Sequence, residues 1–236
     1  MLILALDSTA VAASVSLCED RKLLADYTVN IGNTHSETLL PMVEAVLKTA
    51  HVSVNDIDLF ADSVGPGSFT GVRIGAATLK GLAFGKDRPC VGVSTLEALA
   101  YNLIGFEGIA CPVMNARRSQ VYNALFELDG EHSPRRITPD RAIAISELEE
   151  QLLSESKPIY LSGDGYDITR DGFSRIKTKI TPAILIPQNA YSVAMCAFEK
   201  FQSGEFTTDS ALTPTYLRLS QAERERNEKL NHLTDI

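Results

Sequence analysis

Between Gly65 and Ala83 the chain reads GPGSFTGVRIGAATLKGLA, a glycine turn that leaves an apolar strand and enters a helical pattern. Gly65 and Gly67 flank Pro66, so the backbone turns sharply after IDLFADSV, and glycine permits the positive φ that such turns require. Ser68 or Thr70 can cap the helix that follows. A strand, a glycine turn and a helix N-terminus aim backbone N–H groups at one point, which is how proteins cradle phosphates and other anions. The stretch nevertheless departs from three familiar loops. Gly71 is followed by Val72 and Arg73 rather than the lysine and hydroxyl of a Walker loop. Thr70 occupies the place of the third glycine of GxGxxG, and Ser68 follows Gly67 directly, which breaks a GxSxG elbow. Two readings stay open, a structural turn and an anion site.

Metal chemistry has less support. The four histidines, His35, His51, His132 and His232, form neither an HxxxH motif nor a Cys/His cluster. His35 and Glu37 sit together at a helix start, but Leu39 stands where a second imidazole would be one turn on. Cys18, Cys90, Cys111 and Cys196 are scattered without a CxxC pair, as expected of buried free thiols in a reducing compartment. A net charge of −8 and a pI of about 5.1 argue against a chain that grips nucleic acid by itself, because phosphate neutralisation needs a basic face. The N-terminal LILALDSTAVAASVSL carries Asp7 and no basic leader, and no apolar run reaches ~18 residues. A cytoplasmic protein without a membrane span is expected.

The elements that must position these residues are legible in the first half. The 236 residues, 44% hydrophobic, suffice for a buried core. LILAL (Leu2 to Leu6), AASVSLC (Ala12 to Cys18) and LLADYTV (Leu23 to Val29) read as three strands of a meander. A helix from His35, a buried strand from Ile57 to Val64, the helix after the glycine loop, a strand at CVGV and a helix from Thr95 follow. The second half repeats that order less clearly: IACPVM and QVYNALFEL read as strands, a third lies between Arg136 and Ile145, and SELEEQLLSES is a helix with Ser146 and Glu149 placed for a capping box. KPIYLSGDG is again a strand entering a glycine turn. A second βββαβα unit explains the layout, although no internal sequence repeat is visible.

Two helices carry unusually wide apolar faces. In the first, Leu39, Leu40, Met42, Val43, Val46, Leu47 and Ala50 cover an arc of roughly 160° at about 100° per residue. Thr34 and Glu37 match a capping box at its start, and Pro41 is expected to kink or tighten its first turns. The second is apolar nearly all round, with Val72, Ile74, Ala76, Ala77, Leu79, Leu82, Ala83 and Phe84, and only Arg73, Thr78 and Lys80 interrupt it. Its Gly71, Gly75, Ala76 and Gly81 would let another helix approach closely, though glycine inside a helix costs ~1 kcal/mol against alanine. Burial inside the fold and presentation to another protein are both consistent with these patterns.

The segments LALDST, HSETLLPMVEAVL, GPGSFTGVRIGAATLKGLA, GVSTLEALA, NARRSQVYNALF, the late GDG and TPTYLR occur in the order found in the bacterial TsaB (YeaZ) proteins, which this chain resembles over nearly its whole length. Asn115 stands where those proteins commonly show an aspartate before the Ala-Arg-Arg. The resemblance implies an α/β fold of the actin, sugar-kinase and Hsp70 (ASKHA) type, two RNase H-like βββαβα halves of which the second is reduced. It divides the chain into an N-terminal subdomain over 1–105 that carries partner-binding helices, a smaller subdomain over 106–215 and a charged tail over 216–236. The tail has a possible cap at Ser220 and a Glu225 to Lys229 pair, so a solvated helix is the default there.

The resemblance further implies a non-catalytic part in making tRNA N6-threonylcarbamoyladenosine. The transferase is the larger paralogue TsaD, which carries a second histidine where this chain has Leu39; TsaB pairs with TsaD, or with itself in its absence, and the ATPase TsaE joins them. No cofactor is expected, and tRNA is expected to be reached only through the complex. The interface would draw on His35, Leu39, Leu40, Met42, Val43, Val46 and Leu47 of the first helix and on Val72, Ala76, Leu79, Lys80, Leu82 and Ala83 of the second. Asp7, Ser8 and Thr9, with Gly65, Gly67, Ser68 and Thr70, would be remnants of a phosphate loop, and Gly163, Asp164 and Gly165 would lie where the fold approaches adenosine. Two rivals are a degenerate M22-type metallopeptidase, which the missing second histidine disfavours, and an ATP-binding enzyme of the same fold, which lacks a clearly marked acidic base.

Overall fold

The computed structural model of the protein describes residues 1–32 and 34–218; the expected tail features at Ser220, Glu225 and Lys229 lie outside the described residues. β1 (Leu2–Asp7), β2 (Ala13–Glu19) and β3 (Lys22–Val29) form an antiparallel meander, followed by α1 (His35–Ala50), β4 (Leu59–Gly65), α2 (Phe69–Ala83), β5 (Cys90–Ser94) and α3 (Thr95–Tyr101). β4 lies parallel to β1 with Leu6 opposite Asp62, and the sheet order is β3-β2-β1-β4-β5. β1 and β4 are continuous apolar runs because both faces of the sheet are covered.

α1 starts after Thr34, but the Thr34 side chain makes no cap hydrogen bond; the Glu37 N–H meets the Thr34 carbonyl instead. The helix runs through Pro41, which sits on its exposed side, to Ala50. α2 begins as expected, with Ser68 Oγ accepting the Gly71 N–H at 3.3 Å.

The second half contains β6 (Glu107–Asn115), β7 (Gln120–Asn123), β8 (Phe126–Asp129), β9 (Arg135–Arg136), β10 (Arg141–Ala144), α4 (Ile145–Leu152), β11 (Ile159–Ser162) and α5 (Tyr166–Gly172). The single strand expected over QVYNALFEL is two. Pro112 of β6 has no N–H to donate, so the ladder breaks opposite it, and Asn123 Nδ2 fills the gap by donating to the Pro112 carbonyl at 3.0 Å. The break propagates, since β10 pairs with β7 and β9 with β8. With β11 parallel to β6, the order is again βββαβα, and among the described residues nothing in this half corresponds to β5 and α3.

The Ser146 and Glu149 capping box is absent. α4 starts at Ile145, and Glu149 turns inward to accept the N–H groups of Ser174, Arg175 and Ile176 at 2.5, 2.5 and 3.3 Å. These bonds, the one from Arg175 foremost, hold its carboxyl below the usual 4.5. A depressed value means that Glu149 stabilises the fold above pH 4.5 and that this is lost as the pH falls further. Glu149→Gln should therefore lower the melting temperature at pH 7, with the deficit shrinking on acidification; thermal unfolding at both pH values checks it.

α6 (Ala190–Gln202) departs from the expected division at 106–215. Its Ala190, Val193, Ala194 and Ala197 pack on Ile3, Ala5, Leu59 and Ala61 of the first sheet. The chain after it stays there: Thr207 exchanges backbone bonds with Cys90, and the Thr215 N–H meets the Val64 carbonyl at 2.7 Å. Small residues on both sides let α6 lie close to the sheet. α3 joins the halves, with Ala98 and Tyr101 in this core and Leu96, Leu99 and Leu103 in the core of the second half. All four cysteines are buried free thiols, and burial pushes Cys18 and Cys111 up to about 12. No described helix is long and apolar enough to cross a membrane.

Candidate functional site

The structure brings the end of β1 and the glycine loop together so tightly that each occupies the other. A Cβ on Gly67 would lie 2.5 Å from the Thr9 carbonyl oxygen, and one on Gly71 would lie 2.0 Å from that of Ser8. Hydrogen bonds lock the contact: Ser68 N–H to the Thr9 carbonyl at 2.7 Å, and Ser8 Oγ to the Gly71 carbonyl at 2.9 Å. The N–H groups of Gly71 and Val72 are taken by the Ser68 hydroxyl and carbonyl. The Ser68 and Gly71 N–H groups, two of the donors at this helix start, are thus already engaged within the chain. Gly65 has φ +110° and presses on the Thr215 carbonyl, while the Thr70 side of the helix start is exposed.

Asp7 is buried at the end of β1. One carboxylate oxygen accepts the Thr9 N–H and hydroxyl, and the other accepts the Ser63 hydroxyl at 2.6 Å. Burial still raises it above the usual carboxylate range, against those bonds. Asp62 escaped sequence reasoning, although an acid inside the apolar run IDLFADSV was a signal. It is fully buried beside Gly75, neither carboxylate oxygen has a hydrogen-bond partner among the described residues, and burial with the nearby Asp7 pushes it well above the ordinary value.

In the second half, Gly163 has φ +99° because its backbone must pass the Val113 carbonyl, and the Gly165 N–H bonds that same carbonyl at 3.0 Å. Asp164 accepts the Asn115 N–H at 3.1 Å, and the surrounding protein raises it to about 6, although the residue keeps a solvent-facing edge. The Asn115 side-chain oxygen accepts the Arg117 N–H at 2.8 Å, a cap that needs an acceptor but no charge. The turn it caps is strained. Arg117, Arg118 and Ser119 have φ of 62°, 54° and 55°, a left-handed run that costs non-glycine residues about 1–2 kcal/mol each.

The apolar helix faces divide differently from expectation. Leu39, Met42, Val43 and Val46 of α1 and Val72, Ala76, Leu79 and Ala83 of α2 are buried within this chain, because the helices lay those residues on the first sheet. They are unavailable as contact points. His35 turns inward as well, its Nε2 donating to the Ala10 carbonyl at 2.6 Å, and Lys80 reaches the Ser210 carbonyl at 3.2 Å. Leu40, 46% exposed, remains outside, with Leu47 and Leu82 half-buried. Ile74, Ala77 and Phe84, apolar in the sequence but outside the expected interface set, extend that outer face with Gly81; Phe84 is 77% exposed, whereas Ile74 packs partly on the core. Among the described residues no group of three or more His, Cys, Asp or Glu is placed to hold a metal ion.

Two βββαβα units joined across α3, with the strand-end acid Asp7 of β1 near enough to the second-half glycine turn to act on Asp164, define a protein of the ASKHA class. Residues 29–225 match the family described as TsaD, tRNA N6-adenosine threonylcarbamoyltransferase. The chain is 30% identical over 226 residues to tRNA threonylcarbamoyladenosine biosynthesis protein TsaB of Bacillus subtilis (strain 168), covering 94% of this chain and 96% of that protein. The TsaB of Escherichia coli (strain K12) is also 30% identical, over 92% and 95% of the two chains. The solved structure of YeaZ from Pseudomonas aeruginosa superposes with a TM-score of 0.75 at 27% identity, over 92% of this chain and 99% of that one. The chain belongs to the TsaB (YeaZ) family.

Proposed function

We propose that this protein is the non-catalytic subunit required for forming N6-threonylcarbamoyladenosine in tRNA, pairing with a TsaD-type transferase with which a TsaE-type ATPase also assembles. The observation that carries the reading is the closed loop: the glycine turn and the end of β1 fill each other's space, and the Ser68 and Gly71 N–H groups are engaged within the chain. The matched relatives are named for the same modification. Docking falls to the outer face of α1 and α2, where Leu40, Leu47, Ile74, Ala77, Gly81 and Phe84 leave apolar and small surface around an otherwise filled helix pair. The same face would serve self-association when the partner is absent.

Threonylcarbamoylation of tRNA by purified TsaD and TsaE, supplied with ATP and the enzyme that forms the intermediate, tests the reading directly. Activity should require this chain and should vanish when TsaD is omitted. Activity without TsaD, or indifference to this chain, overturns it. The docking face has its own test. Leu40→Glu combined with Phe84→Glu, both at exposed positions, should leave the melting temperature nearly unchanged and weaken TsaD binding by about 2–4 kcal/mol. Val43→Asp and Leu79→Asp, by contrast, place an unpaired charge in the core and should abolish folding. Calorimetric titration and thermal unfolding of the four-residue set separate surface from core.

A further inference from the structure

Beside the closed loop, four arginines and three aromatic rings form a continuous strip. Phe69, the first residue of α2, stacks on Tyr216 with centroids 4.9 Å apart and planes 7° from parallel. Arg73, one turn further along α2, donates to the Tyr216 hydroxyl at 2.9 Å, and its guanidinium lies 5.4 Å from the Tyr216 centroid and 5.7 Å from that of Phe69. Two residues after Tyr216, Arg218 lies 5.8 Å from the Tyr122 centroid and donates to the Ala116 carbonyl at 2.8 Å. Ala116 leads straight into Arg117 and Arg118. A shallow notch floored by Pro66 and Gly67 runs between Phe69, Tyr122, Tyr216 and Arg218. The strip therefore passes from α2 to the β6–β7 turn without a gap.

Arg73 and Arg218 also hold the segment around Tyr216 in place, but the fold does not call for the two arginines of the turn. Arg117 and Arg118 are exposed, form no salt bridge among the described residues, and occupy left-handed backbone positions that asparagine or glycine would hold with less strain. The carboxylate that touches the turn, Asp164, is engaged by the Asn115 N–H. In a chain of net charge −8, three exposed arginines and a half-buried fourth along this path are a local concentration of positive charge among the described residues. Guanidinium groups neutralise and hydrogen-bond phosphates, and guanidinium planes and exposed tyrosine rings accept stacked bases. A duplex hides its base faces, so the aromatic part of the strip would be idle against one.

We propose that the strip Arg73–Tyr216–Arg218–Arg117–Arg118 is a contact surface for single-stranded RNA, so that this chain touches the nucleic acid itself. Net charge alone pointed to contact only through a partner; the distribution of the charge reverses that. The choice of RNA among polyanions rests on the function proposed above, whereas the location of the surface does not.

The test uses the full chain and a fluorescein-labelled, unstructured RNA of about ten nucleotides, with binding followed by anisotropy across a salt series. The variant Arg117→Asn with Arg118→Asn removes two charges while relieving the left-handed strain. It should melt at or above the wild-type temperature yet bind at least tenfold more weakly, with the slope of log affinity against log salt reduced by about 1.4. Arg117→Lys with Arg118→Lys should retain most of that slope. Tyr216→Ala should weaken RNA binding and leave the slope unchanged. Equal affinity of the wild type and the asparagine variant, or no saturable binding by the wild type, overturns the proposal. The same variants are carried through the threonylcarbamoylation assay: a wild-type chain that binds RNA through the strip but does not support the transferase fails the function reading alone, and one that supports it with an indifferent strip fails this inference alone.

Discussion

Gly71→Ala should destabilise the protein by about 3 kcal/mol, whereas Gly81→Ala, ten residues along the same helix, should stabilise the isolated chain by about 1 kcal/mol. The first substitution drives a Cβ to 2.0 Å from the Ser8 carbonyl oxygen. Both sides of that contact are main chain, one at the first turn of α2 and the other at the end of the central strand, so neither yields by a rotamer change. Relief requires α2 to lift from the sheet, which would expose Val72, Ala76 and Leu79. At Gly81 a Cβ meets nothing within 4 Å, and the residue is exposed in a helix interior, so alanine simply recovers helix propensity. Urea unfolding of both variants measures the contrast. Because Gly81 lies on the proposed docking face, Gly81→Ala should also weaken TsaD binding; unchanged affinity would remove Gly81 from that surface.

The second large effect concerns Asp62. Its carboxyl is buried without a partner among the described residues, next to Asp7 on the adjacent strand, and both circumstances raise its pKa well above 3.8. The sign follows from linkage. Below pH 3.8 the acid is protonated in both states and contributes no pH dependence; above it the unfolded chain ionises while the folded chain holds its proton, so stability falls as the pH rises until the folded value is reached. Removing the carboxyl removes that loss. Asp62→Ala should therefore raise stability at pH 8 by about 1–3 kcal/mol, the penalty of an unsatisfied buried polar group, and flatten the decline between pH 5 and pH 8. Unfolding at those two pH values checks it, and a variant less stable than the wild type at pH 8 would mean that Asp62 has a partner in solution. Asp7, also raised by burial, stays in the variant and leaves a smaller slope of the same sign.

The two effects share one cause. The end of β1, the end of β4 and the start of α2 are packed main chain against main chain, with two acids enclosed. A site built to take a nucleotide phosphate would keep its donors free and its carboxylate wet. Here Thr9, Ser63 and Ser68 turn those groups inward.

Local order was legible in the residues wherever one element's own period decided it. The meander of β1 to β3, the helix from His35, the Ser68 cap and the αβ alternation through Thr95 all follow from patterns that neighbouring residues complete. The second half was harder because Pro112 interrupts a partner strand by what it fails to donate, an effect written on one strand and felt on another. The Glu149 capping box failed for a related reason: three N–H groups at 174–176, distant in sequence, outbid the local one.

Fold class, the position of the glycine loop and the family can all be read from the residues, since these rest on periodicity and on motifs in a fixed order. Which side of each apolar helix is buried emerges only from the packing. Periodicity gives the width of an apolar face but not the depth of what covers it, and Val43 and Leu79 turned out to lie in the core while Leu40 and Phe84 did not. The tertiary structure also decided that α6 returns to the first sheet, that Asp62 is enclosed without a partner among the described residues, and that Arg73 meets Tyr216 while Arg218 meets the Ala116 carbonyl at the start of the β6–β7 turn. Each of these depends on contacts between residues far apart in the chain, which spacing along it does not encode.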